Sequence, residues 1–489
     1  MSGRLIIRNT LFLTLASLAE KVIFLFFFAY VARTLGQVDF GRYSFVLAAL
    51  TFLSIPLDLG FSNILVREVA RARGLAGQYV LDITALKLLI LAAEVALTAA
   101  LAPVLVKDPL VAELLVWGLV GQGIANLSNG FFMLFAAFEE MGFQSLLQTA
   151  GNLLGVAVGA VVLRGGADLR LFFIWYGVVA LVARAIMFAA AAAARYRRQM
   201  AARLGGMRGR WQRVIVAGFP FAVANLMMVF YVRIDSVLLY KLKGAASVGT
   251  YNAALALVTG LIFLPGAVAG AVYPRFSVLY GQGSEMASAR AAASLIKGLL
   301  FISLPLAVGG ALMATDVIAK LYGAEYHSSA DVFRILCWAL PAIFVTSAMG
   351  AISTARNQET AVAKIAAFNT LFNAIGNIVL ISVWGALGAA VTMVVTHYFC
   401  WFQYRRWLRD SIYAVFDPVS CLAKPALACL VMAVVMYPVM RYVGFWWTIP
   451  AGIGSYCSIL WMLRPLSADE TRLLRTFMHR QKDGTLKAV

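Results

Sequence analysis

Charge is scarce in this chain. Asp, Glu, Lys and Arg make up 13% of its 489 residues, against 62% hydrophobic. A water-soluble fold of that length cannot cover itself with so little polar surface. Histidine is scarcer still, with three residues. The five cysteines (Cys337, Cys400, Cys421, Cys429, Cys457) all fall in or beside apolar runs. They read as small apolar residues, which argues against a disulfide framework or a metal centre. No GxxxxGK[ST] loop occurs, which argues against an ATP motor, and HExxH and GxSxG are missing too. The strict alternation of a membrane barrel is also missing.

What the chain has is long apolar runs. In lipid every backbone polar group must be satisfied within the structure, so such runs imply helices. A span needs about 20 apolar residues. Windows of that length fall at 9–32, 43–64, 80–103, 110–138, 143–163, 170–194, 214–240, 247–273, 292–314, 332–355, 361–383, 386–404, 419–440 and 443–463. The expected fold is an all-α polytopic membrane protein of about fourteen helices. The first run continues to about Val31 without a small-residue cleavage pattern, so it is expected to be a helix and not a cleaved signal. The formal net charge of +19 then finds its cause in the loops. With an even helix count one side collects Arg67, Arg71, Arg73, the Arg195–Arg213 loop and the basic tail, while the other holds few basic residues. The positive-inside bias assigns both termini to the cytoplasm and makes a nucleic-acid partner unnecessary.

One pattern recurs. The run Tyr30-Val31-Ala32-Arg33-Thr34-Leu35-Gly36 leads into Gly41-x-Tyr43, and Gly36, Gly41, Tyr43, Leu47, Ala48 and Arg67 each find the same residue 208 positions later, at Gly244, Gly249, Tyr251, Leu255, Ala256 and Arg275. Ungapped self-similarity of this kind implies one structural unit used twice. Both copies enter from the same side, which implies a parallel pseudo-twofold along the membrane normal. The expected division is an N-terminal lobe of helices 1–6 (1–205), a C-terminal lobe of helices 7–12 (206–410), and a helix pair with a basic cytoplasmic tail (411–489).

Charges inside spans are costly and mark candidate sites. These are Glu20 and Lys21, Asp58, Asp82, Lys87 and Glu94, Arg184, and Arg233 with Asp235. Asp82 and Lys87 either snorkel or pair with each other. Lys21, near mid-membrane, is expected to line a cavity, with Glu20, Asp58 or Glu94 as partner. Arg67 and Arg275, the repeated pair, read either as positive-inside anchors or as a gate that collects anions. Asp235 either balances Arg233 or helps bind a cation. Asn373 with Asn377, and Thr392 with Thr396, lie four apart on one helix face. They supply neutral oxygens for a hard monovalent cation, or interhelical hydrogen bonds.

The run through Gly36, Phe40-Gly-Arg-Tyr-Ser44, Asp58-Leu-Gly60 and Arg67-Glu68 resembles the opening of Wzx-type polysaccharide flippases. Asp235-Ser-Val-Leu-Leu-Tyr240 with Gly249-Thr-Tyr-Asn-Ala253 resembles the start of their second lobe. Leu321-Tyr-Gly323, Tyr326 and Gly385-Ala-Leu-Gly388 fit as well. That family belongs to the multidrug/oligosaccharidyl-lipid/polysaccharide (MOP) exporter superfamily, with the lipid II flippases and the MATE drug exporters. The resemblance implies two six-helix lobes around a cavity and no enzymatic activity. It implies transport by alternating access of an undecaprenyl-diphosphate-linked oligosaccharide across a bacterial inner membrane for surface polysaccharide, O-antigen or exopolysaccharide. A cation-coupled drug exporter or a lipid II-type flippase is the alternative within the superfamily. The resemblance places Lys21 and Arg275 where lipid II flippases keep basic residues, and Asp235, Asn373, Asn377 and Thr392 toward a sodium ion, with sodium or proton coupling and no organic cofactor. A diphosphate needs positive charge in the cavity, for which Lys21 with Arg67, Arg275 or Arg233 is the expected source. Asn377 stands where relatives often carry Asp, which puts sodium coupling in doubt. Membrane lipids and the polysaccharide polymerase and chain-length proteins are the implied partners.

Overall fold

The computed structural model describes residues 3–199, 207–282, 284–408 and 419–463, all helices and short turns with no strand among them. The helices are α1 (Gly3–Leu53), α2 (Phe61–Arg71), α3 (Ala76–Leu105), α4 (Pro109–Ala137), α5 (Met141–Arg164), α6 (Leu169–Ile174), α7 (Ala180–Tyr196), α8 (Met207–Lys243) and α9 (Ala245–Leu261). They continue as α10 (Phe263–Gly281), α11 (Glu285–Leu312), α12 (Ala314–Tyr322), α13 (Ser329–Cys337), α14 (Ala339–Ala355), α15 (Glu359–Trp384), α16 (Ala386–Trp407), α17 (Lys424–Tyr442) and α18 (Phe445–Leu463).

Fourteen spans are expected from the sequence. Among the described residues nine helices are long and apolar enough to cross a membrane, or up to eleven if each of two bent pairs is one span. Gly36 leaves the helical region (φ 76°), so α1 is two helices joined at a kink, and windows 9–32 and 43–64 begin on either side of it. The second window then breaks at a 3-10 turn, Pro56–Asp58, and at Gly60 (φ 77°). Proline cannot donate a backbone bond and glycine adopts positive φ without strain, so the two together end one helix and start another. Ser329–Cys337 and Ala339–Ala355 meet at a bend of 42°.

The chain forms two compact units, Val22–Gly249 and Met1–Lys21 with Thr250–Val489. The boundary expected at 205/206 lies outside the described residues. In the first unit α2, α3, α4, α5 and α7 close a core around Phe61, Leu65, Phe135, Phe188 and Tyr196. In the second, α10, α11, α14 and α16 enclose Phe276, Ile296, Val345 and Tyr404. There α17 and α18 pack on Met313 through Met432, Met436 and Tyr456, and the Tyr456 hydroxyl donates to the Phe301 carbonyl at 2.8 Å.

The two copies of the repeat meet inside the first unit. A Cβ on Gly41 would lie 1.9 Å from the Ala245 carbonyl oxygen, and one on Gly249 would lie 2.1 Å from that of Gln37. Ala245 stands 208 positions after Gln37, as Gly249 does after Gly41. The contact is therefore reciprocal, and both members must lack a side chain for the backbones to approach. Arg42 braces the same turn, pairing with Asp39 and Asp108 at 2.7 Å each, while Asp108 caps α4 by accepting from the Leu110 N–H.

Candidate functional site

The broken second span carries a connected polar group. Asp58 closes the 3-10 turn and caps α2, accepting from the Ser62 N–H at 3.2 Å and from its hydroxyl. Lys87, 1% exposed on α3, donates to Asp58 at 3.2 Å and to the Asn126 carbonyl at 3.2 Å. Asn129 on α4 completes the group by donating to Ser62 at 3.0 Å. A lysine this deep holds its charge only against a partner. Three helices are thus tied at the break.

The sequence reading pairs Asp82 with Lys87 or lets both snorkel. The structure does neither. Asp82 binds Arg210 of α8 through both oxygens and accepts from Gln78 at 3.1 Å. Five residues along a helix bring Asp82 and Lys87 to different neighbours, and each finds its counter-charge on another element. Asp58, offered as a partner for Lys21, is taken by Lys87.

The other expected residues fall as follows. Lys21 is exposed and makes no ion pair with a described residue; Glu20 beside it is half-buried. Glu94 is half-buried, and both carboxylate oxygens are buried without a hydrogen-bond partner. Arg67 is exposed and bound to its neighbour Glu68 at 2.8 Å. The Arg275 side chain lies outside the described residues. Arg233 is half-buried and forms no ion pair with Asp235 or any other described residue. Asp235, 9% exposed, accepts from the Ser236 N–H at 2.6 Å.

In the second unit the expected neutral oxygens converge. Asn377 donates to Asn373 at 2.9 Å, and Asn373 to Thr396 at 3.3 Å. Thr392 and Thr396 bond back to carbonyls one turn earlier, at 2.9 and 2.7 Å. All four are buried. The helices come close because Gly385 turns at positive φ (58°), and a Cβ on Gly388 would lie 2.0 Å from the Leu380 carbonyl oxygen. The Asn377 Oδ1 is buried without a partner, an acceptor left over from the helix-to-helix bonding.

The first unit also holds a cavity of about 270 Å³ that the sequence does not announce. Arg184, noted only as an intramembrane charge, lines it with Tyr43, Gln122, Asn152 and Tyr176. Of the residues expected to bind substrate or cation, none lines it. The one signal was Arg184 itself, a charge at the centre of an apolar run.

Solved structures share the fold. The fold is similar to that of "Lipid II flippase MurJ, inward closed conformation", with TM-score 0.72 and 14% identity over 93% of this chain and 99% of that one. It is also similar to a structure titled as the inward-facing conformation of a multidrug resistance MATE family transporter of the MOP superfamily (TM-score 0.65, 15% identity, 81% of this chain and 95% of that one). In sequence, the chain is 22% identical over 404 residues to the "Putative O-antigen transporter" of Escherichia coli (strain K12), spanning 80% of this chain and 93% of that protein. It is 27% identical over 180 residues to an uncharacterized membrane protein of Methanocaldococcus jannaschii, covering 37% of this chain and 35% of that protein. The family described as "Polysaccharide biosynthesis protein" matches residues 6–280, and MatE matches 220–379. The chain belongs to the polysaccharide biosynthesis protein family, as a multi-pass membrane transporter and not an enzyme.

Proposed function

We propose that this transporter is a flippase that turns an undecaprenyl-diphosphate-linked oligosaccharide from the cytoplasmic to the outer leaflet of a bacterial inner membrane, for surface polysaccharide assembly. The observation that carries the reading is the family match over 6–280, with the 404-residue likeness to a protein named as an O-antigen transporter in support. The physics agrees. Lys21 and Arg233 have no carboxylate partner among the described residues and are available to a diphosphate. An inside-negative potential favours outward movement of anions by about 2.3 kcal/mol per charge per 100 mV. Both termini lie in the cytoplasm on this reading, and the polymerase and chain-length proteins take the product.

Coupling to a sodium or proton gradient is part of the proposal. Asp235 is a buried acid, and Asn373, Asn377 and Thr392 offer oxygens in a polar cluster. The test is a deletion strain complemented by the gene and by Lys21→Ala. Wild type restores the surface glycan and Lys21→Ala does not, at equal protein level. A deletion strain with unchanged surface glycan and lost drug resistance would move the protein to the exporters.

A further inference from the structure

The cavity in the unit Val22–Gly249 is walled by α1, α4, α5, α6, α7 and the wide turn between the last two. Its one charge is Arg184, which lies midway along the apolar stretch Leu169–Gln199, about 22 Å from either end at ~1.5 Å per residue. A guanidinium at that depth must face protein or a wet cavity. Its Nε is buried with no partner. One terminal nitrogen donates over 3.5 Å to Asn152 Oδ1, which also accepts from Gln148 at 3.1 Å. The guanidinium carbon lies 5.9 Å from the Phe188 ring centre. Among the described residues no carboxylate pairs with it, and no Asp or Glu lines the cavity, Glu94 included.

The backbone is built around this place. Residues Trp175–Val179 form a π turn, a feature concentrated at functional sites. In an unbroken α-helix Tyr176 and Arg184, eight apart, would point about 80° from each other. The wider turn takes up that difference, and both line the cavity. The turn is wedged against α4, where a Cβ on Gly121 would lie 1.9 Å from the Gly177 carbonyl oxygen. On α5 a Cβ at Gly151 would press on the Arg184 side chain at 2.7 Å, so a glycine leaves the arginine its room.

We propose that this cavity is a binding site for one small oxyanionic group, a carboxylate or a phosphate, held on the Arg184 guanidinium beside the Asn152 and Gln122 amides. Arginine's planar fork matches an oxyanion in two parallel bonds, stronger than bonds between neutral groups. The volume is several times the roughly 30 Å³ share of one water, which leaves space for the group that bears the charge. Tyr43 and Tyr176 wall that space with ring surface. The chemistry is the same for a free anion and for an acidic substituent on the transported glycan. The second source rests on the flippase reading; the site itself does not.

The test is calorimetric titration of the purified full-length protein in detergent with inorganic phosphate, glucuronate and, as neutral control, glucose. Saturable binding of phosphate or glucuronate and none of glucose is expected. Arg184→Gln lowers that affinity at least tenfold, and Arg184→Lys keeps part of it. Gly155→Leu, which adds bulk where a Cβ meets only Tyr176 at 3.7 Å, also loses binding with the charge intact, and serves if Arg184→Gln fails to fold. A tenfold preference for glucuronate points to the glycan as the source, and the reverse preference to a free anion. Absence of saturable binding to the wild type, or equal binding by Arg184→Gln and Gly155→Leu, overturns the proposal. Anion binding without lipid-linked glycan transport would leave the site standing and remove the flippase reading.

Discussion

Gly41 and Gly249 pack against one another from equivalent places in a duplicated sequence, each with its missing side chain filled by a carbonyl of the other copy's turn. The repeat is thus a contact as well as a pattern.

Gly41→Ala and Gly249→Ala should each destabilise the protein by about 1–3 kcal/mol, since a methyl driven into backbone cannot be relieved by a side-chain rotation. Because the two sites touch, the double variant should not show the sum of the single effects. Gly74→Ala, where an added Cβ meets nothing within 4 Å, should stay within ~0.5 kcal/mol of wild type. Thermal unfolding of the purified protein in detergent checks all four.

The Lys87–Asp58 pair should behave as a buried unit. Lys87→Met alone leaves Asp58 without its cation in a span and should cost about 3–5 kcal/mol. Adding Asp58→Asn should recover most of that loss, because asparagine also caps a helix well. A double variant as unstable as the single one would mean that the pair is not what holds the break.

These two cases show what was legible in the sequence. The register from Gly36 to Arg67 could be read because each glycine of the repeat answers to a local need, a positive φ or a backbone approach. The intramembrane charges could be found, but not their partners. Asp82 binds Arg210 from 128 residues away, a distance no helical spacing predicts. The Asn373–Asn377–Thr392–Thr396 cluster was readable because i, i+4 spacing and a short glycine turn place it. The Arg184 cavity was not, because nothing in Trp-Tyr-Gly-Val-Val marks a π turn. Apolar windows also do not show where Pro56, Gly60 and Trp338 break or bend the chain.

Asn377→Leu separates cation coupling from packing. Its side-chain oxygen has no hydrogen-bond partner and its amide gives up one bond, to Asn373, so the variant should lose about 1–3 kcal/mol and still fold. If the cluster serves coupling, transport in vesicles should lose its stimulation by a sodium or proton gradient, and Asp235→Asn should lose it too. Unchanged gradient dependence in both variants would reduce the cluster to helix packing.

Topology follows from the arginine asymmetry. In a cysteine-free background, single cysteines at Gly206 and Gly484 should react with an impermeant thiol reagent only from the cytoplasmic side. One at Gly244 should react only from outside. Labelling of Gly206 from outside would invert the orientation.

The central claim is movement of the lipid-linked glycan itself. It is tested most directly in proteoliposomes that hold the purified protein and a labelled undecaprenyl-diphosphate oligosaccharide. The fraction of glycan reached by an external glycosidase is then followed in time. The account predicts a protein-dependent rise in that fraction, abolished by Lys21→Ala and increased by an imposed potential that drives anions toward the outside. A rise no faster than in protein-free vesicles, with a cationic drug carried by the same preparation, would contradict it.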